Sequence, residues 1–106
     1  MTTLEKVRRL EQYVAAEPAI ADPVLDAALG KLIHREATRI IDLRSRLLAQ
    51  CRRFEEIFGV ASTEFYARYE QGELGDEMDY MEWAATIEMI RNLDGRLSLL
   101  QTESEK

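Results

Sequence analysis

The sequence predicts an all-α protein built on an antiparallel helical hairpin. A long helix over about 23–58 lies against a second over about 77–101, with an N-terminal helix before them and a short connecting helix over about 62–71. Three observations carry this. Apolar residues recur at three- and four-residue steps over most of the chain, the signature of one buried helix face. Two prolines and five glycines in 106 residues leave few places for a helix to stop. Turn chemistry is confined to short stretches, and no segment shows the alternation of a strand. At this length the chain is expected to form one domain, 1–106, with its burial completed by dimerisation.

Thr2 and Glu5 are spaced as a capping box, in which two side chains satisfy the free amides at a helix start. Leu4, Val7, Leu10 and Val14 then repeat at helical spacing, predicting a helix over about 3–16. Glu17-Pro18 ends it, because a residue before proline is pushed out of the α region, and 17–22 read as a connector. Asp22-Pro23 pairs an N-cap acceptor with proline at the first helical position. The helix that follows carries Ile33, Ala37, Ile40, Arg44, Leu47, Cys51, Phe54 and Phe58 in alternating four-three steps, the seam of a helix packed along another.

Gly59 sits where a left-handed C-terminal cap is wanted. Ser62 is the expected N-cap of the short helix, which has Phe65, Tyr66 and Tyr69 as its aromatic side and is closed by Gly72. Leu74 plugs the connector into the core. Asp76 is the expected cap of the last helix, with Asp79 as a partial capping box. Tyr80, Trp83, Ile87, Ile90, Asp94 and Leu97 trace that helix's buried stripe. Residues 102–106 are expected to fray.

The expected core or dimer seam is therefore Leu25, Leu29, Leu32, Ile33, Ile40, Leu47, Phe54, Trp83, Ile87 and Ile90. Counted back from the closed end, the last helix is too short to cover the start of the long one. Leu25, Leu29 and Leu32 are left for the N-terminal helix or for a second subunit. Arg44 and Asp94 break otherwise apolar stripes at positions that face each other. They form either a register-fixing ion pair or an arginine lying along the seam edge with the aspartate in water.

A formal net charge of −6 is the wrong sign for general attraction to phosphate, so nucleic acid is not an expected partner of the chain alone. The charges are also segregated. Lys31, Arg35, Arg39, Arg44, Arg46, Arg52 and Arg53 lie on the long helix, whereas Glu73, Asp76, Glu77, Asp79 and Glu82 fall in a stretch without a basic residue. The segregation reads either as mutual attraction between antiparallel helices or as an acidic bait for a basic partner. The arginines leave a DNA contact as a third reading.

Catalytic constellations are not apparent. His34 stands alone, and Cys51 lies about 25 Å along the same helix, too far for a nucleophile–base pair. Asp76, Asp79 and Glu82 share a helix face, yet no histidine or calcium-loop pattern accompanies them. No enzyme activity, metal or cofactor is expected. A lone cysteine and the lack of a long apolar run predict a protein of the cytoplasm that does not cross a membrane.

Phe54 to Leu93, FEEIFGVASTEFYARYEQGELGDEMDYMEWAATIEMIRNL, resembles the signature of a family of small all-helical prokaryotic proteins. The matching elements are F-E-x-x-F-G-V (Phe54–Val60), S-x-E-F-Y (Ser62–Tyr66), G-E-L-G-D (Gly72–Asp76), Asp79-Tyr80 and E-W-A (Glu82–Ala84). Such proteins are often encoded beside a small toxin, commonly of ribonuclease type. The resemblance implies an antitoxin-like partner of such a toxin. The charge pattern makes an acidic helical surface the expected contact with a basic site, with Tyr66, Glu73, Asp76, Glu77, Asp79 and Glu82 as its residues. The competing expectation is a structural or adaptor homodimer joined through the long-helix seam.

Overall fold

A computed structural model describes residues 1–17 and 22–101. Most of the expected connector at 17–22 and the expected frayed tail at 102–106 lie outside the described residues. Four helices make up the described chain, and no strand occurs among these residues: α1 (Thr3–Ala16), α2 (Pro23–Phe58), α3 (Ser62–Glu70) and α4 (Met78–Gln101). The chain divides into two compact units, Met1–Lys31 and Leu32–Lys106.

In the first unit, the expected capping box is complete. The Glu5 amide donates to Thr2 Oγ1 at 3.1 Å and the Thr2 amide to Glu5 Oε1 at 2.8 Å. Asp22 caps the start of α2, its Oδ1 accepting from the Leu25 amide at 3.0 Å. No residue of α1 is buried, and Leu4, Val7 and Val14 are exposed. Leu25 and Leu29 are half-buried and line a groove with Tyr13 and Val14.

In the second unit, α2 packs against α4 in the opposite sense. Phe54 stacks on Trp83, whereas Arg44 further back along α2 meets Asp94 further on in α4. Earlier still on α2, Ile40 shares an apolar cluster with Leu47, Leu93, Leu97 and Leu100. Beyond that cluster α4 ends, and Leu32 and Ile33 stand exposed. Arg44 Nε donates to Asp94 Oδ1 at 2.5 Å, so the two charged interruptions of the stripes do pair.

The buried arc of α4 is wider than its expected stripe. Ala84, Thr86 and Leu93 are buried with Trp83, because α4 is covered by α2 and by α3. Thr86 is tolerated there because its hydroxyl donates to the Glu82 carbonyl at 2.9 Å.

The turns follow from two glycines with positive φ. Gly59, at φ 69°, ends α2, and its amide bonds the Glu55 carbonyl at 2.8 Å. Gly72, at φ 75°, closes α3 in a Schellman motif, with Gly72 N–H to the Tyr69 carbonyl and Glu73 N–H to the Arg68 carbonyl. The Arg68–Glu73 ion pair at 3.5 Å spans the same motif.

Arg44 and Asp94 keep 38% and 48% of their side-chain surface, so solvent screens the pair and its coupling is modest. A double-mutant cycle with Arg44→Ala and Asp94→Ala, read by urea unfolding, is expected to return about 0.5 kcal/mol of coupling. Strictly additive losses would mean that the pair does not help set the register.

Candidate functional site

The short helix α3 is where most of the polar chemistry of the second unit converges. Nine residues make a marginal helix on their own, so its position is set by what it packs on. Phe65 lies parallel to the Trp83 indole, with ring centroids 3.9 Å apart, and Phe54 and Phe58 stack with the same indole at 5.4 and 5.7 Å. Trp83 is fully buried. A buried indole N–H needs an acceptor, and Trp83 Nε1 donates to Ser62 Oγ at 2.9 Å.

That bond corrects the expected role of Ser62. The residue preceding α3 in the cap position is Ala61, which offers no side-chain hydrogen bond, and Ser62 is the first helical residue. Its hydroxyl is engaged by Trp83. The free amide at the helix start is satisfied from α2 instead, where Glu55 Oε2 accepts from Ser62 N at 2.9 Å. A carboxylate at a helix N-terminus is favoured by both the hydrogen bond and the dipole. Hydrogen bonds from the Ser62 hydroxyl, then from its amide, hold the Glu55 carboxyl below its ordinary range against partial burial, with nearby Arg52 assisting.

Tyr66 is the second correction. It is expected as a partner-contact residue beside the acidic turn, whereas its ring is buried, with 6% of its surface exposed. Its hydroxyl donates to Glu88 Oε2 at 2.8 Å, and the Arg91 guanidinium lies 4.4 Å from its ring centroid. A phenol buries its ring readily once its O–H reaches an acceptor. The Glu88 bond, then burial and the charges of Glu70 and Glu88, push the Tyr66 hydroxyl up to about 12.

The expected acidic contact residues are all exposed. Asp76 and Glu77 precede α4, which starts one residue later than expected, so Asp79 alone lies in its first turn. Glu77, rather than Asp76, occupies the cap position, its carbonyl accepting from the Met81 amide at 3.0 Å. Glu73 pairs with Arg68, and Glu82 accepts from Gln50 Nε2 at 3.2 Å. Among the described residues, Asp76, Glu77 and Asp79 form no ion pair. Exposed Met78 and Met81 alternate with them.

Among the described residues no ion pair joins the cations of α2 to the acidic stretch. Arg44 alone among the α2 cations bridges to α4, and it does so at Asp94, outside the acidic stretch. Arg35 and Arg39 both turn to Glu36 on their own helix. No group of three or more histidine, cysteine, aspartate or glutamate side chains among the described residues is placed to hold a metal ion.

Between α2, α3 and α4 lies an open cleft of about 280 Å³. Leu48, Ile87 and Ile90 give it an apolar lining, Cys51 and Ser62 also line it, and Arg52 and Arg91 stand at it from α2 and α4. Burial pushes the Cys51 thiol up, with the Ser62 hydrogen bond opposing and the Glu55 charge adding. Such a thiol is a small hydrophobe rather than a nucleophile. The sequence marks Arg52 only as one of the long helix's cations and Glu55 only as part of a motif, and Glu88 and Arg91 lie outside the apolar stripes. The i,i+3 spacing of Glu88 and Arg91 is the one signal that marks a shared face.

Compared with protein-family models, curated proteins and solved structures, the chain matches none of them.

The Glu55 cap makes a pH prediction. Its folded-state pKa lies below the ordinary 4.5, so the unfolded chain takes up this proton first as pH falls. The stabilisation is complete above that ordinary value and is lost as pH drops through the lowered one. Glu55→Gln is expected to cost about 0.5 kcal/mol near neutral pH and to flatten the fall in stability as pH drops below the ordinary carboxylate value. An unchanged acid slope in urea titrations would remove Glu55 from this role.

Proposed function

We propose that the protein is a non-catalytic, antitoxin-like binding module that occupies a basic site on a partner protein, of the kind found in ribonuclease-type toxins. The observation that carries the reading is the surface at the start of α4. Asp76, Glu77 and Asp79 are exposed without ion-pair partners among the described residues, next to exposed Met78 and Met81. Carboxylates with nothing to neutralise them attract a basic surface, and unbranched, polarizable methionines supply apolar contact that adapts to the partner's shape. Glu73 and Glu82 extend the patch while also serving the fold. Tyr66 is left out of the contact surface because its ring and hydroxyl are already used. The buried free thiol of Cys51 suits a reducing compartment such as the cytoplasm. Among the described residues no helix is long and apolar enough to cross a membrane.

A second reading, a homodimer with an adaptor role, is favoured by Leu32 and Ile33, which stand exposed on the seam of α2 beyond the end of α4. Mass in solution separates a dimer from a monomer, and dimerisation is compatible with either role.

Co-expression with the products of adjacent genes, followed by pull-down, tests the first reading. A basic neighbour is expected to co-purify, and Asp76→Lys with Asp79→Lys is expected to weaken that binding at least about 100-fold. The melting temperature should hold, since both positions are exposed. A neighbour that binds the charge-reversed protein equally well, or no neighbour that binds at all, would overturn it.

A further inference from the structure

We propose that the cleft between α2, α3 and α4 is a binding site for a small organic carboxylate with an apolar tail. The acidic partner surface at the start of α4 plays no part in it. The cleft has the two halves that such a ligand requires. Leu48, Ile87 and Ile90 form the apolar part, and Arg52 and Arg91 supply positive charge from two different helices, against one carboxylate on the lining, Glu55, which is bonded to the Ser62 amide.

The state of the arginines decides the ligand's charge. The chain has 20 acidic residues against 14 lysines and arginines, so an arginine has ample choice of carboxylates. Neither Arg52 nor Arg91 forms a salt bridge among the described residues. Glu55, close enough to Arg52 to feel its charge, is hydrogen-bonded to the Ser62 amide, and Glu88 accepts from the Tyr66 hydroxyl. Arg91 is held in place by the face of the Tyr66 ring, 4.4 Å from its guanidinium carbon. Cation–π contact fixes the guanidinium plane and leaves its N–H edges free for an anion. Glu88 orients Tyr66, Tyr66 holds Arg91, and Arg91 faces the cleft.

The size decides the tail. A cleft of about 280 Å³ is at the lower end for small-molecule sites, suited to a short aliphatic chain rather than a nucleotide or a polycyclic body. Cys51 on the lining serves as a built-in reporter, because a ligand seated there shields its thiol.

Sodium octanoate is the probe, with octanol as the uncharged control. Titration of the full chain, followed by backbone amide shifts, is expected to move residues of the cleft on all three helices and to saturate. Octanol should bind at least about 10-fold more weakly, and Arg52→Gln and Arg91→Gln should each weaken octanoate about 10-fold. Arg52→Gln removes no hydrogen bond or ion pair among the described residues and costs the fold only its charge interaction with Glu55, so it remains informative if the Arg91 variant loosens Tyr66. Saturating octanoate is expected to slow Cys51 labelling by an uncharged thiol reagent several-fold. Equal binding of octanol and octanoate, indifference of octanoate to Arg52→Gln, or shifts confined to residues outside the cleft would each overturn the proposal.

Discussion

Everything at the closed end of the hairpin depends on the enclosure of one indole. Trp83 is fully buried, stacked on Phe65 from α3 and on Phe54 and Phe58 from α2. Its N–H must be satisfied once water is excluded, and the acceptor it takes is the hydroxyl at the first residue of α3. That demand ties α4 to α3. The Glu55 carboxylate then ties α3 to α2 through the adjacent amide. Two polar bonds at one residue, Ser62, therefore orient a helix too short to persist alone, and the aromatic stack supplies the burial that keeps it there.

Much of the fold was legible because its determinants are local. The Thr2–Glu5 capping box, the Asp22 cap and the left-handed turns at Gly59 and Gly72 depend only on residues within a few positions of each other. The antiparallel register was legible too, since the four-three spacing of α2 and the stripe of α4 put Arg44 opposite Asp94 before any coordinates are considered. At Ser62 and Tyr66 a partner distant in sequence decides what the side chain does: Trp83 claims the Ser62 hydroxyl, and Glu88 with Arg91 claims Tyr66. At Asp76 the helix starts one residue on, an ordinary uncertainty of helix ends.

Helix α3 covers one side of the hairpin and engages Glu55 and Glu88 through Ser62 and Tyr66. Among the described residues, Asp76, Glu77 and Asp79 form no ion pair with the arginines of α2. The acidic patch is backed by a helix start that favours negative charge. It carries little structural duty that a partner would have to disrupt.

If Trp83 positions α3, removing the indole should release α3 before the rest of the second unit. Native-state hydrogen exchange on Trp83→Leu measures this directly. Amides of Phe65–Glu70 should lose protection by more than about 10-fold relative to those around Leu47 and Leu93, whose packing lies in the separate cluster of Ile40, Leu47 and Leu93. Equal loss across α2, α3 and α4, or an α3 as protected as in the parent protein, would contradict the account.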